Sequence, residues 1–411
     1  MGTFWFVSAP LFGHLDWGGY LKTAQALKAD GHRVIWVSQP KIGGYLVDQG
    51  IPFEPVSETG WLWPPPPAPD ITSIPPQEAV FLRYRRALDT WLNEDLIPQA
   101  VEDLLALGER IGPPDLLVTD PFLSASALAA EKMGVKLAVC GWPAHEDLDE
   151  EDLFPVQQEL ARDSRDRITR LCQHFGVSGE NFSQGPTPSI QSPHLHISFF
   201  SHYWYQSEPN FLPQNHFVGG IASPANTPPP QWLRDLPDQP AVLITLGSVF
   251  TGDLGFFAWA AQAVYRLGWI PIVVIGRNPL PPADKVELKS ALPPTTRLLS
   301  WVDFDHVMPR LHAIAHHGGM GTTHSAIVHT LPQVVVPHAA DQRGQAKRVS
   351  QAKVGLHLTA HDVRNGQLLP GIRAVATDAK VRSYCARLTA QFAELGGPPR
   401  AAELLAAQLR S

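Results

Sequence analysis

Short apolar runs alternate with helical stretches along most of this chain, and that alternation restricts it to parallel sheets covered by helices. Residues 3–9 read as an aromatic-rich strand, residues 20–30 carry helical spacing that stops at Gly31, and residues 33–38 read as a second buried strand. The same order returns at residues 115–119 (strand), 124–132 (helix) and 135–140 (strand). It returns again at residues 241–246, 256–267 and 270–275, with further strands expected at 297–301, 313–315 and 334–337. Residues 81–107 are expected to be helical with an interruption near Pro98, and residues 380–410 helical except at Gly396-Gly397-Pro398-Pro399. Two doubly wound, Rossmann-like α/β domains are the expected architecture. In such open sheets ligands collect outside the carboxyl ends of the strands.

A length of 411 residues suits about two domains. Six prolines between residues 224 and 240 mark an interdomain linker. The boundaries expected are 1–222 for the N-terminal domain, 223–240 for the linker, 241–385 for the C-terminal domain and 386–411 for a helical tail. A formal net charge of −7 without a basic stripe argues against nucleic acid as a partner. No apolar run approaches the ~20 residues of a membrane span, and residues 1–10 lack the marks of a signal peptide. Cys140, Cys172 and Cys385 are scattered, as in a reducing compartment, so the cytoplasm is the expected location. Trp61-Leu62-Trp63 followed by four prolines is either a stiff surface loop or an aromatic pocket wall.

The chemistry concentrates in His316-His317-Gly318-Gly319-Met320-Gly321-Thr322-Thr323. An apolar segment leads into glycines and then into a helix start, where unpaired N–H groups suit an anion. The same string also serves a plain strand-to-helix turn. It is neither a Walker A loop nor a dinucleotide fingerprint. His14 ends the first strand segment, where a neutral imidazole can take a proton from a hydroxyl. Asp120 ends another strand of the same half and suits the role of its supporting acid, with Asp16 a weaker rival. Ser248 follows the first strand of the second half, Trp301 and Val302 follow a later one, and Asp341-Gln342 set a carboxylate beside an amide. Trp17, Trp61, Trp63, Phe81, Trp142, Tyr203, Trp204 and Tyr205 supply aromatic surface for an apolar pocket.

Taken together these residues resemble a family-1 inverting glycosyltransferase of the GT-B fold, of the bacterial, macrolide type. The resemblance is strongest over residues 301–355 and weakest over 57–80 and 145–216. It implies two domains facing a cleft, with a C-terminal helix crossing back to the N-terminal domain. By position, it makes His14 the catalytic base and Asp120 its supporting acid. His316, Gly318, Gly319, Gly321, Thr322, Thr323 and Ser248 become diphosphate contacts, Trp301 and Val302 the base-binding position, and Asp341 and Gln342 the sugar-hydroxyl pair. Trp17, Trp61, Trp63, Phe81 and Trp142 become acceptor contacts. Where many relatives carry a ribose-binding Glu, this chain has His324-Ser325.

The resemblance implies glucose from UDP-glucose as the transferred group, metal-independent transfer without a cofactor, and an apolar hydroxylated acceptor such as a polyphenol, terpenoid, carotenoid or macrolide. The oligomeric state stays open. Two other readings of the fold are a non-catalytic auxiliary protein and a sugar-nucleotide epimerase; neither needs the His14–Asp120 pair.

Overall fold

A computed structural model describes the 411-residue chain except residues 16–17, 65–73, 150, 152, 187, 209, 225–226, 248–252, 277–279, 339 and 411, with backbone alone at 76, 83, 340 and 341. The first sheet comprises β1 (Thr3–Val7), β2 (Arg33–Ser38), β3 (Phe53–Pro55), β4 (Leu116–Thr119), β5 (Lys136–Gly141), β6 (Leu195–Ser198) and β7 (Asn215–Phe217). All its pairings are parallel, in the order β3-β2-β1-β4-β5-β6-β7. The second comprises β8 (Ala241–Thr245), β9 (Ile270–Val274), β10 (Arg297–Leu299), β11 (Ala313–His316), β12 (Gln333–Val335) and β13 (Gly355–His357), again parallel, ordered β10-β9-β8-β11-β12-β13.

Helices α1 (Tyr20–Ala29), α2 (Gly43–Asp48), α3 (Pro76–Trp91), α4 (Ile97–Ile111), α5 (Ser124–Met133) and α6 (Pro155–Phe175) belong to the first lobe. The others are α7 (Gln231–Arg234), α8 (Leu254–Arg266), α9 (Pro282–Ala291), α10 (Phe304–Val307), α11 (Met320–Val328), α12 (Ala340–Gln351), α13 (Ala360–Arg364), α14 (Leu368–Thr377), α15 (Ala379–Glu394) and α16 (Gly397–Ala407). The helix expected over 81–107 is two, α3 and α4, because Asn93 caps the new turn with its Oδ1 and Pro98 takes the second position of α4, where its missing N–H costs nothing. The double glycine at 396–397 likewise divides α15 from α16.

Parallel strands buried on both faces explain the unbroken apolar runs: β1, β4, β8 and β9 are buried almost throughout. One apolar core runs through both lobes. It joins Phe199, Phe200 and Trp204 of the first to Met320, Ile327, Val328 and Val349 of the second, with Phe392 of α15 between them. Polar links reinforce it. Lys22 Nζ meets Asp305 Oδ2 at 2.9 Å, Trp204 Nε1 donates to Gln345 Oε1 at 2.9 Å, and Arg348 Nε donates to Glu208 Oε1 at 2.8 Å. Helix α16 packs on α1, and the amide of Gly397 donates to Val218 O at 2.7 Å, so the tail does return to the first lobe.

Gly18 has φ +91°, and a Cβ there would lie 2.6 Å from His324 Cγ across the lobe boundary. Gly18→Ala should therefore combine the ~1–3 kcal/mol of a disfavoured backbone conformation with a clash at the boundary. A melting temperature lowered by several degrees is the expected result, and an unchanged one would contradict it. Among the described residues no helix is long and apolar enough to cross a membrane.

Candidate active site

Each sheet reverses its winding direction once. In the first, the chain runs outward from β1 to β3 and then returns to place β4 on the other side of β1. In the second, the reversal falls between β8 and β11. The loops leaving the carboxyl ends of such paired strands diverge and open a crevice. His14, Asp120 and the glycine turn after β11 lie at these two crevices.

In the first lobe Val7 pairs with Thr119, which brings the loops bearing His14 and Asp120 side by side. Tyr20 fixes the two strand ends, its hydroxyl lying 3.1 Å from Val7 O and 2.9 Å from Val118 O. Asp120 is fully buried and His14 keeps 12% side-chain exposure, with Nδ1 3.2 Å from Asp120 Oδ2. The other carboxylate oxygen accepts the Phe122 amide at 2.8 Å. An ionised carboxylate only accepts, so Nδ1 of His14 carries the proton and Nε2 is the basic nitrogen.

Aromatic rings wall this dyad. Trp61 stands edge-on to His14 at 5.2 Å, Phe122 lies 6.2 Å from it, and Phe122 meets Trp142 at 4.7 Å. Phe122 went unread in the sequence, although it sits two residues after the acid. Trp63 and Phe81, a residue of α3, are half-buried against the same apolar cluster as Trp61, with Lys41 Nζ 5.6 Å from the Trp63 ring. Trp17 and Asp16 lie outside the described residues.

In the second lobe His316 pairs with Thr245, so the turn after β11 lies beside Gly247. Here the structure corrects the choice between the paired histidines. His316 is fully buried; its Nδ1 accepts the Gly318 amide at 3.1 Å and its Nε2 donates to Gln333 Oε1 at 2.9 Å. Both ring nitrogens are engaged within the protein, and burial lowers its pKa to about 4, so it is a neutral brace of the turn rather than a diphosphate contact. His317 occupies the better place. A Cβ on Gly247 would sit 2.7 Å from its Cε1, and one on Gly319 2.4 Å from its Nε2. It is wedged between the loop after β8 and the start of α11, and burial pushes its pKa well down. The two are the same residue type at consecutive positions in the sequence, and their different partners in the structure set them apart.

Gly318 has φ +92°, and a Cβ would meet Gln342 O at 2.9 Å. Gly319 precedes α11, and Met320, Gly321, Thr322 and Thr323 form its first turn. Thr323 is fully buried, and its hydroxyl has no hydrogen-bond partner among the described residues. Gln342 is also buried, with its Oε1 accepting the His338 amide at 2.8 Å, so this oxygen braces the loop after β12 instead of meeting a sugar. Trp301 is 45% exposed beside the buried Val302, as a stacking platform requires. Ser248 lies outside the described residues, as does the side chain of Asp341.

Two further aromatic readings change. Trp204 and Tyr205 belong to the lobe boundary, not to an acceptor pocket: both are buried against Phe200, and Arg348 stacks 4.6 Å from the Tyr205 ring. Tyr203, in the same turn, is exposed. His324 is likewise buried at this boundary, with Nε2 donating to Gly219 O at 3.2 Å. The two crevices meet through Trp142. Its indole Nε1 contacts Met320 Sδ, the first residue of α11, so a run His14–Phe122–Trp142–Met320 crosses from one lobe to the other.

Two doubly wound lobes, with a histidine–aspartate dyad at one switch point and a glycine turn at the other, match the GT-B architecture expected from the sequence. Comparison with known proteins agrees. Residues 280–407 match the family "Erythromycin biosynthesis protein CIII-like, C-terminal domain". The TDP-daunosamine transferase DnrS of Streptomyces peucetius is 25% identical over 412 residues, covering 92% of this chain and 91% of that one. The demethyllactenocin mycarosyltransferase of Streptomyces fradiae is 26% identical over 240 residues, covering 58% of this chain but only 50% of its own length. The crystal structure of the kitacinnamycin glycotransferase superposes with a TM-score of 0.75 at 21% identity, over 99% of both chains. Together these likenesses support a family-1 glycosyltransferase of GT-B fold.

Proposed function

We propose that this glycosyltransferase moves a sugar from a nucleoside diphosphate to a hydroxyl of an apolar natural-product acceptor, with inversion and without a metal. The His14–Asp120 pair, buried among Trp61, Phe122 and Trp142, carries this reading. His14 Nε2 takes the acceptor proton while the acceptor oxygen forms its bond to the anomeric carbon. The bond from that carbon to the diphosphate oxygen breaks on the opposite face, and its electron pair leaves with the diphosphate. The buried Asp120 stabilises the imidazolium that forms. The N-terminus of α11 and the His317 side chain meet the departing charge.

The relatives shift the expected donor. A TDP-sugar transferase among them favours a thymidine-diphosphate deoxysugar over the UDP-glucose anticipated from the sequence. A mass-spectrometric screen of both donor classes against apolar hydroxylated acceptors, with and without chelator, tests the proposal. Sugar transfer with an inverted anomeric configuration in chelator supports it. Isomerisation of donor alone, or no turnover with any donor, counts against it.

The paired histidines give a sharper test. His317→Ala should weaken nucleoside-diphosphate binding about tenfold, in the range of one charge-assisted hydrogen bond lost. His316→Gln should instead lower the melting temperature and leave affinity nearly intact. Calorimetry reversing that order would return the ligand role to His316.

A further inference from the structure

Trp301 follows β10, a three-residue strand at the edge of the second sheet, paired to β9. A short edge strand does little to fix the loop that leaves it. The anchoring comes instead from α10, the four-residue helix just beyond Trp301, on which three distant parts of the chain converge. Asp303 caps this helix, its Oδ1 accepting the Asp305 amide at 2.9 Å. Asp305 then engages both carboxylate oxygens. Oδ1 lies 3.1 Å from Nε2 of His329, the residue that closes α11, and Oδ2 accepts Lys22 Nζ at 2.9 Å. Beside it, His306 Nε2 lies 2.9 Å from Thr227 Oγ1 of the linker.

Lys22 belongs to α1, so the first lobe reaches across to hold a turn of the second. Burial opposes the charge on Asp305, but the hydrogen bonds from His329 and Lys22 outweigh it and keep the carboxyl below its ordinary range. The Lys22 side chain is 30% exposed and that of Asp305 19%, so water screens the pair only in part. Beneath it Val302, Val307 and Met308 are buried in one apolar cluster with Phe304 packed against them. A shift of α10 therefore carries Val302 with it, and Trp301 is bonded to Val302.

We infer that Lys22 is a positioning residue for the donor nucleotide, setting from the first lobe, through Asp305 and α10, where the Trp301 platform stands. The inference rests on the reading of Trp301 as the base-stacking platform. Lys22 itself touches no ligand in this scheme. It acts on the base end of the nucleotide, so a nucleoside and its diphosphate respond alike. The lobe boundary then belongs to the donor site, because seating α1 against α10 and stacking a base favour each other.

Calorimetric titrations of thymidine, uridine and their diphosphates test this on wild type, Lys22→Met, Lys22→Arg, Asp305→Asn, Trp301→Ala and the Lys22→Met/Trp301→Ala double variant. Lys22→Met and Asp305→Asn should each lose about fivefold in affinity, the upper range for a partly exposed ion pair, equally for nucleoside and diphosphate. Lys22→Arg should stay within about twofold of wild type. Trp301→Ala should lose roughly tenfold, as removal of a stacking ring does. Adding Lys22→Met to it should cost nothing more, because the two act as one unit. Unchanged affinity in Lys22→Met overturns the inference. A loss confined to the diphosphates overturns it as well, since Lys22 would then act on phosphate. A full further loss in the double variant does the same, because a general structural defect would be independent of the platform. Wild-type nucleoside binding in Trp301→Ala would instead remove the platform reading itself, and the role of Lys22 with it.

Discussion

Replacing His14 by alanine should lower turnover about 10²–10⁴-fold, the range that a positioned general base supplies. Donor affinity should stay nearly constant, because the ring lies in the first lobe among Trp61 and Phe122, away from the turn after β11. The separation of the two effects is the point of the experiment. A residue that merely filled space would change acceptor KM and stability together, whereas a base changes kcat. Asp120→Asn should give an intermediate loss: the amide keeps the shape but permits the wrong imidazole tautomer. Wild-type rates in His14→Ala would remove the base from the mechanism.

The second large effect is acid lability. Burial lowers the pKa of His196, His316 and His324 from 6.5 to about 4 in each case. Each is neutral when folded and free to protonate when unfolded. The sign follows from that: the folded pKa is depressed, so the stability associated with these groups is complete above about 6.5. It is lost as pH falls toward 4. One site contributes a slope of at most ~1.4 kcal/mol per pH unit, and three acting together approach ~4 kcal/mol per pH unit between about pH 6 and 4.5. Against a total stability of ~5–15 kcal/mol this is enough to unfold the protein near pH 5. Circular-dichroism melts from pH 8 to 4.5 should show a steep fall in melting temperature beginning near pH 6.5. His324→Gln, which preserves a donor toward Gly219 O, should reduce that slope. A flat profile to pH 5 would mean that these rings are hydrated or charged in the native state.

The fold was legible because parallel strands buried on both faces leave continuous apolar runs. Residues 3–9, 33–38, 241–246 and 270–275 cover four strands of the structure to within a residue or two. The breaks between abutting helices were legible at Pro98 and at Gly396-Gly397, and the Asn93 Oδ1 contacts to the Asp95 and Leu96 amides add the local turn at the first of them. The site was legible by position, since His14, Asp120 and the glycine turn all follow strands. What pattern could not supply was the direction of a side chain. Adjacent residues on a strand end point to opposite faces, so His316 goes inward to Gln333 while His317 goes to Gly247. The same limit applies to Trp204 and Tyr205, whose aromatic character suggests an acceptor pocket and whose partners come from the other lobe. Nothing local to them announces a contact more than a hundred residues away.

The contact between Trp142 and Met320 has an energetic meaning. One indole belongs both to the wall around His14 and to the first turn of the helix that carries the glycine cradle. Under the proposed function, each substrate then alters the surface that the other binds. Linkage makes such an effect reciprocal: whatever factor a bound nucleotide sugar changes acceptor affinity by, bound acceptor must change nucleotide-sugar affinity by the same factor. The two half-sites are, in that sense, a single cooperative unit whose order of filling is set by free energies rather than by separate doors.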